Sequence, residues 1–498
     1  MNMALSPAWI ELTSILEEVE TLQSAGAVLA WDQQTMMPRR AAGARGSQLA
    51  LISRLAHERL TDDRVGRALE RLATERLNVE QAATVRVVRR AYDRSTKLSP
   101  GLVVRLAEAE SAAFEAWVTA KQTANFPLFA PYLSQLLDLT REKIQAIDAH
   151  SHPYDVLLDD YDPGTNVQSL TSMFGRLQKE LGILLDAVKH VEPLPAFDLT
   201  FDVARQRGLH QDVIRALNYD LEAGRLDDAE HPFSIGIHPT DVRITAHLYA
   251  NDLLNSLGGT IHETGHALYE QGLPVSLKGT YVSRAASYGL HESQSRFWEN
   301  TIGRSLPFLK WLTPGVRKHF PEMAVDAQAM YRGANRIVPG LVRIKADEVT
   351  YNLHIIVRFE IELALMEERL KVADLPEAWN EKYRDYLGIT PSHDGEGVLQ
   401  DVHWSGGSFG YFPSYTLGNL YAAGIAATLD AQMPSLWTDV EHGSFGGILA
   451  WLRENVHQKA NLQEAPDIMR SAIGSRDLVQ DLMNHLWNRH GALHGVSR

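Results

Sequence analysis

The chain has 498 residues, of which 45% are hydrophobic and 22% charged, and these values are typical of a soluble globular protein with a sizeable core. Its formal net charge of −14 argues against nucleic-acid or anionic-membrane partners, because such binding needs an excess of Lys and Arg. The sequence contains no cysteine, which excludes disulfides, thiolate metal ligands and a cysteine nucleophile, and fits a cytoplasmic location.

The first half of the chain predicts a succession of helices. Ser6 and Pro7 supply the N-cap and the first turn of the first helix. Segments rich in Ala, Glu, Arg and Leu predict three more helices, over residues 78–99, 100–123 and 129–150. The N-terminus has no basic segment followed by an apolar core, and no window approaches the roughly 18 apolar residues of a membrane span. We therefore expect neither a signal peptide nor a transmembrane helix.

Strand-like alternation is confined to two short segments, residues 196–206 and 233–246. The lack of regular strand–helix alternation argues against a doubly wound sheet. The Pro- and Asp-rich stretch 151–166 is either a domain boundary or an ordered loop. We therefore expect a mostly α protein: a single large helical domain, with two lobes around a cleft and only minor short β-strands.

The stretch "HETGH" at 262–266 places two histidines four residues apart, with a glutamate directly after the first. In an α-helix, His262 and His266 lie one turn apart on one face, so both can bind the same metal ion. Glu263 is rotated by about 100° from His262 and can reach a water at the metal without being a ligand. This is the H-E-x-x-H arrangement of zinc peptidases. Because the chain has 20 histidines, two structural histidines on a polar helix face are the alternative.

A catalytic zinc site needs a third protein ligand, and Glu292 is the candidate. It follows the second histidine by 26 residues, enough for a turn and a second helix packed against the first. The neighbouring His291 is an alternative ligand or a hydrogen-bond donor, and a solvated helix glutamate is the alternative without a metal. Close approach of another segment or of a substrate would explain three glycines that each cost a helix about 1 kcal/mol relative to Ala, at positions 258, 259 and 265.

Residues 341–370 predict one long helix with a polar stripe. The stripe consists of Arg343, Asp347, Tyr351, His354, Arg358 and Glu362. One interpretation is a solvated face with two intrahelical ion pairs, Arg343–Asp347 and Arg358–Glu362, each worth a few tenths of a kcal/mol. In a cleft, however, Arg343 would be able to form a bidentate pair with a substrate carboxylate.

The glycine-rich segment 397–419 contains a G-x-S-x-G pattern at 406–410, which is typical of the nucleophile elbow of α/β-hydrolases. An elbow needs a preceding strand, a following helix and a parallel sheet. Pro413 stands where that helix should begin, and other parallel strands are lacking, so we do not favour a serine hydrolase. We interpret the glycines as a mobile substrate loop that presents Tyr411 and Tyr415.

Eight motifs, in this order and at this spacing, resemble the metallocarboxypeptidases of the thermostable carboxypeptidase Taq family over nearly the whole chain. They are "WDQQTMMP" at 31–38, "HPYDVLLDDYDPG" at 152–164, "HPF" at 231–233, "DVRIT" at 241–245, "HETGH" at 262–266, "HESQ" at 291–294, "VRIKAD" at 342–347 and "GVLQDVHW" at 397–404. No candidate site residue departs from the family pattern.

The resemblance implies a fold related to the helical, neurolysin-type zinc peptidases, with a deep groove. Residues 1–165 would form one wall of that groove, and residues 166–498 would carry the metal site. It implies one divalent metal ion per subunit, zinc by default and cobalt in some relatives, bound by His262, His266 and Glu292, with Glu263 as the catalytic base. It also implies a cytoplasmic homodimer that releases single C-terminal amino acids from peptides with broad specificity.

Further site roles follow from the chemistry of an exopeptidase and, for the oxyanion donors, by analogy with related helical zinc peptidases. A developing oxyanion needs donors, for which His403 and Tyr415 are the candidates and Tyr411 is the competing tyrosine. A free C-terminal carboxylate needs a fixed cation, for which Arg343 is the first candidate and Arg243 the second. Two residues of the "HPF" motif would close the groove and limit peptide length: His231 and Phe233. The alternatives are a helical metallo-oligopeptidase that acts as an endopeptidase, and a catalytically inactive peptide-binding scaffold.

Overall fold

Helices account for most of residues 6–498, the part of the chain that the structure, a computed structural model, describes. Those of the first half are α1 (Pro7–Thr35), α2 (Ala42–Leu60), α3 (Asp63–Leu72), α4 (Val79–Thr96), α5 (Pro100–Thr123), α6 (Ala130–Ile147), α7 (Pro153–Leu158), α8 (Val167–Val188) and α9 (Val203–Ala216). The four helices predicted here are confirmed as α1, α4, α5 and α6. Ser6 caps α1 as expected, because its side chain accepts a hydrogen bond from the backbone N–H of Trp9 (3.2 Å).

The stretch 151–166 is ordered and is not a linker. It contains the short helix α7, in which Tyr154 and Leu158 are fully buried. Of the two interpretations of this stretch, the ordered loop is therefore the correct one.

Three short strands form one small sheet: β1 (Gly224–Asp228), β2 (Ser234–His238) and β3 (Asp241–Ala246). The strand order is β1-β3-β2, with β1 parallel and β2 antiparallel to β3. The strand prediction for 233–246 is confirmed by β2 and β3. The prediction for 196–206 is wrong, because the side chain of Asp202 caps helix α9, accepting a hydrogen bond from the backbone N–H of Arg205 (2.9 Å).

Helices also dominate the second half. They are α10 (Leu253–Gly272), α11 (Tyr288–Arg296), α12 (Leu306–His319), α13 (Ala327–Ala334), α14 (Tyr351–Met366), α15 (Leu375–Leu387), α16 (Pro413–Gln432), α17 (Leu436–Glu441), α18 (Gly446–Asn455), α19 (Ala465–Ile473), α20 (Leu478–Leu486) and α21 (Ala492–His494). A π-helical segment, Phe297–Gly303, continues α11. None of the helices formed by residues 6–498 has the length and apolar character that crossing a membrane requires.

The prediction of one helix over 341–370 is wrong. Only a short 3₁₀ turn forms at Arg343–Lys345, and α14 begins at Tyr351. The carboxylate of Asp347 accepts hydrogen bonds from the backbone N–H groups of Val349 and Thr350, both at 2.9 Å, and so organises the start of α14 instead of continuing a helix through it.

Of the two interpretations of this polar stripe, the solvated face is wrong. Arg358 and Glu362 are fully buried within α14. Neither predicted intrahelical ion pair forms, because Arg343 and Arg358 both bind Asp401, far along the chain. The stripe therefore faces the interior, where its charges meet groups from other segments.

Candidate metal centre and active site

Helix α10 presents its histidines at the edge of a buried face. Leu257, Ile261 and Leu268 are buried in the core, whereas His262 and His266 are only partly buried. The apolar spacing of this helix thus turns both histidines toward α11, the helix that carries the predicted third ligand.

Two glycines allow α11 to pass between α10 and α16 at close range. A Cβ on Gly265 of α10 would lie 2.6 Å from the carbonyl oxygen of Gln294, and one on Gly418 of α16 would lie 2.5 Å from Cγ of Glu292. The close approach expected from the glycines of α10 is therefore confirmed at Gly265. At the other two, the nearest atoms lie at ordinary van der Waals distances.

The three predicted ligand atoms converge on one point. Nε2 of His266 lies 3.4 Å from Oε2 of Glu292, and Nε2 of His262 lies 3.6 Å from the same oxygen. Ligands that bind zinc at about 2.1 Å in tetrahedral geometry lie roughly 3.4 Å apart. The spacing therefore fits a single metal ion, and this trio is the one such cluster within residues 6–498. His291, the alternative ligand, is not part of it.

Charged side chains of α11 and its π-helical continuation orient these ligands. Nδ1 of His262 lies 2.9 Å from Oε2 of Glu299, which leaves Nε2 for a metal. Nε of Arg296 donates to Oε1 of Glu292 (2.7 Å), and Arg304 donates to Glu299 (3.0 Å). Sequence reasoning missed these residues, although Arg296 and Glu299 follow Glu292 by four and seven residues, the spacing of one helix face.

The electrostatics of the cluster favour a cation. Burial opposes ionisation of Glu292, but Arg296 and the two ligand histidines outweigh it and hold the pKa of this carboxyl well below its usual range. Against burial, Glu292 and Glu299 raise the pKa of His262, so these carboxylates attract positive charge to this point. Burial lowers the pKa of His266 to about 3, and its ring is therefore neutral at pH 7, the form that binds a metal.

Glu263 is buried beside the cluster but is not a member of it, and only 8% of its surface is exposed. Burial raises the pKa of Glu263 to about 7, although the nearby His262 acts in the opposite direction. A carboxyl group with a pKa near the working pH can both accept and return a proton. A divalent cation in the cluster would draw this pKa down and keep Glu263 ionised at neutral pH.

The predicted oxyanion donors contact each other. Nε2 of His403 lies 3.3 Å from the hydroxyl oxygen of Tyr415, and the ring of Tyr411 packs edge-on against Tyr415 with centroids 5.3 Å apart. Burial lowers the pKa of His403 to about 4, so the imidazole is neutral at pH 7. Burial raises the pKa of both tyrosines, and the charge of Glu292 adds to the effect, so both hydroxyls are protonated at pH 7 and able to donate hydrogen bonds.

Arg343 belongs to a buried charge cluster. Its Nε donates to Oδ1 of Asp401 (2.9 Å) and its Nη1 donates to the hydroxyl of Tyr351 (3.1 Å). Nε of Arg358 donates to the other oxygen of Asp401 (2.7 Å). Two guanidinium groups thus share one carboxylate and leave one excess positive charge. The guanidinium of Arg343 lies 4.9 Å from the ring of Tyr415, close to the predicted oxyanion donors.

The other predicted substrate residues lie on or beside the sheet. Arg243 of β3 forms a two-point ion pair with Asp241, both contacts at 2.8 Å, and its guanidinium stacks on Trp31 of α1 at 4.4 Å. His231 is exposed and Phe233 is partly buried just before β2. A Cβ on Gly259 of α10 would lie 3.7 Å from Cγ of Pro232, the residue between them, so this segment runs beside α10. The guanidinium of Arg243 is thus held by Trp31 of α1 and by Asp241 of its own strand. That of Arg343 is held instead by Asp401 and Tyr351.

The G-x-S-x-G segment does not form a nucleophile elbow. It follows a 3₁₀ turn, His403–Gly406, rather than a strand. A helix does begin at Pro413, because a proline at the first helical position loses no hydrogen bond, so that part of the prediction is wrong. The backbone N–H of Gly410 donates to Glu362 of α14 (2.9 Å). The segment is thus anchored, and Tyr415 belongs to α16 rather than to a mobile loop.

Two buried carboxylates tie the surrounding elements together. Glu362 accepts hydrogen bonds from the hydroxyl of Tyr154 and from Nε1 of Trp404, both at 2.7 Å. Asp162 accepts one from the hydroxyl of Ser414 at 2.5 Å. These partners are 42 to 252 residues apart along the chain, so no local sequence pattern indicated them.

A helical protein that brings an H-E-x-x-H pair and a third carboxylate together at metal-binding distances has the arrangement expected of a metallopeptidase. Comparison with known proteins gives the same class. The profile of the family described as Carboxypeptidase Taq (M32) metallopeptidase matches residues 11–490. The chain is 40% identical to thermostable carboxypeptidase 1 of Thermus thermophilus, over 99% of this chain and 100% of that protein.

Two further relatives agree. Carboxypeptidase 1 of Bacillus subtilis is 36% identical, over 97% of this chain and 98% of that protein. The solved structure of the M32 carboxypeptidase from Deinococcus radiodurans R1 is 34% identical, covers 99% of this chain and 100% of that chain, and superimposes with a TM-score of 0.96. The chain therefore belongs to the Carboxypeptidase Taq (M32) family of metallopeptidases. It is a metallocarboxypeptidase, and the resemblance drawn from its motifs is confirmed.

Proposed function

We propose that this enzyme releases single amino acids from the free C-terminus of peptides, with broad specificity, at a divalent metal held by His262, His266 and Glu292. The proposal rests on one observation above all, the meeting of two Nε2 atoms and one carboxylate oxygen at metal-binding spacing. Bound there, a divalent metal ion, zinc by preference and cobalt as the alternative, supplies Lewis acidity toward a water molecule and the scissile carbonyl.

The chain's own residues move the protons and stabilise charge. Glu263 takes a proton from the attacking water and returns it to the leaving amine. His403 and Tyr415 donate hydrogen bonds to the carbonyl oxygen as it becomes negative, and Tyr411 is the competing donor. The mutual contact of His403 and Tyr415, and the neutral state of the imidazole, support these roles.

Arg343 binds the C-terminal carboxylate of the substrate. The excess positive charge of the cluster around Asp401 supports this role, because a buried cation attracts a carboxylate strongly. Arg243 is the second candidate, since Asp241 balances its charge one to one, whereas Arg343 shares Asp401 with Arg358. Two residues close the groove and limit the length of the peptide: His231 and Phe233.

We further propose that residues 1–165 form one wall of the groove and that residues 166–498 carry the metal site. Contacts between the two parts support this division. Nε1 of Trp117 in α5 donates to the carbonyl of Leu399 (3.0 Å), four residues before His403, and Ser24 of α1 donates to the carbonyl of Ile237 in β2 (2.9 Å). The homodimer implied by the family resemblance is part of the proposal. So is a cytoplasmic location, which the lack of cysteine supports.

Metal analysis combined with a peptide-ladder assay tests the function. The purified protein should contain about one divalent metal per chain and shorten a peptide one residue at a time from its C-terminus, as read by mass spectrometry. A chelator should stop the reaction, and C-terminal amidation should protect the peptide. Internal cleavage of amidated peptides would identify an endopeptidase instead. Peptide binding without metal or cleavage would identify an inactive scaffold.

A further inference from the structure

The two candidate metal-ligating histidines are held in different ways. Nδ1 of His262 lies 2.9 Å from Oε2 of Glu299. Nδ1 of His266, in contrast, is buried and has no hydrogen-bond partner among the side chains and backbone groups that the structure describes. A metal-ligating histidine ordinarily donates its second N–H, and this bond fixes its ring orientation and tautomer. Within residues 6–498, the structure thus gives the ring of His266 no such hydrogen bond.

The ring of His291 contacts His266 instead. It stacks on the ring of His266, with centroids 4.4 Å apart and an interplanar angle of 18°. Nε2 of His291 lies 3.0 Å from Oε1 of Glu270. Glu270 follows His266 by four residues in α10, so the ring and the carboxylate lie one turn apart on one helix face. His291, which projects from α11, touches both.

We propose that the ring of His291 positions His266 as a metal ligand by stacking on it, where His262 uses a hydrogen bond. The inference rests on the proposed metal site. Glu270 fixes the orientation of the His291 ring, and the parallel ring faces restrict rotation of His266 about its Cβ–Cγ bond. Nε2 of His266 then stays directed toward Oε2 of Glu292, 3.4 Å away. His291 touches neither substrate nor metal in this role and is a positioning residue.

Two substitutions separate stacking from hydrogen bonding. His291→Ala removes both contacts, whereas His291→Phe keeps a flat ring against His266 but loses the bond to Glu270. A matched control is His238→Ala, because His238 lines the same cavity as Glu270 but contacts none of the three candidate ligands. Binding of Zn²⁺ to the metal-free, full-length protein is measured by competition with a chromophoric chelator. Circular dichroism of the metal-free variants verifies their fold.

We expect His291→Ala to weaken zinc binding by about 10–100-fold, the range seen when the partner of a metal-ligating histidine is removed. His291→Phe should bind zinc more nearly as wild type does, and His238→Ala should match wild type. The visible spectrum of the cobalt-loaded protein should change in His291→Ala, because the geometry of one ligand changes. A merely structural role would leave that spectrum as it is.

Two results would overturn the inference alone: wild-type zinc affinity in His291→Ala, or equal weakening in His291→Phe and His291→Ala. If His291→Ala does not fold, the affinity and cobalt spectrum of His291→Phe decide, since a loss of 10-fold or more in that folded variant contradicts stacking. His262→Ala tests the site itself. If it binds zinc as tightly as wild type does, the proposed metal site falls and the inference falls with it.

Discussion

At the scale of single residues, Glu263 owes its raised pKa to burial, and its carboxylate is the group best placed to exchange a proton in the site. Glu263→Gln preserves shape and removes the proton acceptor. We expect kcat to fall by about 10²–10⁴-fold, the usual contribution of a general base, while metal content stays at the wild-type level. Turnover and metal content are measured on one preparation, and near wild-type turnover would contradict the role.

Arg343 and Arg243 differ in the groups that already bind them. Arg343 shares Asp401 with Arg358, whereas Arg243 pairs with Asp241. Arg343→Ala should lower kcat/KM for peptides with a free C-terminus, with a loss of transition-state stabilisation of about 2–5 kcal/mol, the cost of losing a buried charged partner. Metal content should not change, because Arg358 still pairs with Asp401. Arg243→Ala is the comparison, and we expect a smaller loss. Kinetics on matched free and amidated peptides decide, and a larger effect of Arg243→Ala would exchange the two assignments.

The candidate site was predictable where its residues are neighbours along the chain. The four-residue spacing of His262 and His266 places both on one helix face, and the family motifs then indicated Glu292. The shared carboxylate of Asp401 was not predictable, because it lies 58 residues from Arg343 and 43 from Arg358. Only the tertiary fold brings those charges together.

At the scale of elements, helix α11 is held against both of its neighbours by glycines. Gly418→Ala would place a methyl group against the side chain of Glu292, and overpacking of this kind costs about 1–3 kcal/mol. We expect zinc affinity to fall as well, because Glu292 must shift. Chelator competition and thermal unfolding of the metal-free protein measure the two effects.

A glycine in open space provides the control for that substitution. Gly182 lies inside α8, and a Cβ there would meet no atom within 4 Å. Gly182→Ala should therefore stabilise the protein by about 1 kcal/mol, since alanine favours the helix, and leave zinc affinity unchanged. Wild-type zinc affinity in Gly418→Ala would contradict the close fit of α11.

Element boundaries were predictable where capping is local. Ser99 and Pro100 mark the start of α5, and the structure has it there. The start of α14 was missed, because Asp347 looked like one more member of a helical stripe but binds backbone N–H groups instead. Apolar and polar spacing alone does not distinguish a helical aspartate from a capping one.

At the scale of the whole molecule, the C-terminal helices are tied to the centre through one carboxylate. Buried Glu348 lies 2.9 Å from Nε2 of His485, 3.1 Å from Nη1 of Arg489 and 3.0 Å from Nε2 of His490. Glu348→Gln leaves Arg489 without its buried counter-charge, so we expect a loss of about 3–5 kcal/mol of stability at neutral pH. Denaturant unfolding of both proteins measures this difference in the free energy of unfolding. A loss of less than about 0.5 kcal/mol, the usual effect of a surface substitution, would contradict this role of Glu348.

The same cluster predicts how stability changes with pH. Burial opposes ionisation of Glu348, but Arg489 and His485 outweigh it and hold its pKa well below the usual range. Its contribution is therefore fully present above the ordinary pKa of a glutamate and is lost as the pH falls below that value. The stability difference between wild type and Glu348→Gln should thus shrink in acid. A difference that stays constant between neutral and acid pH would contradict the assignment.

The close packing of α11 against Gly265 of α10 and Gly418 of α16 also affects which metal ions the proposed site can bind. The main chain of α11 cannot come closer to α10 or α16, so the third ligand cannot approach the histidines by a shift of the helix. An ion such as Ca²⁺ needs six to eight oxygen ligands at about 2.3–2.6 Å, and this trio of two nitrogens and one carboxylate does not supply them. At the proposed metal site, the two imidazole ligands therefore favour cations that bind nitrogen over Ca²⁺.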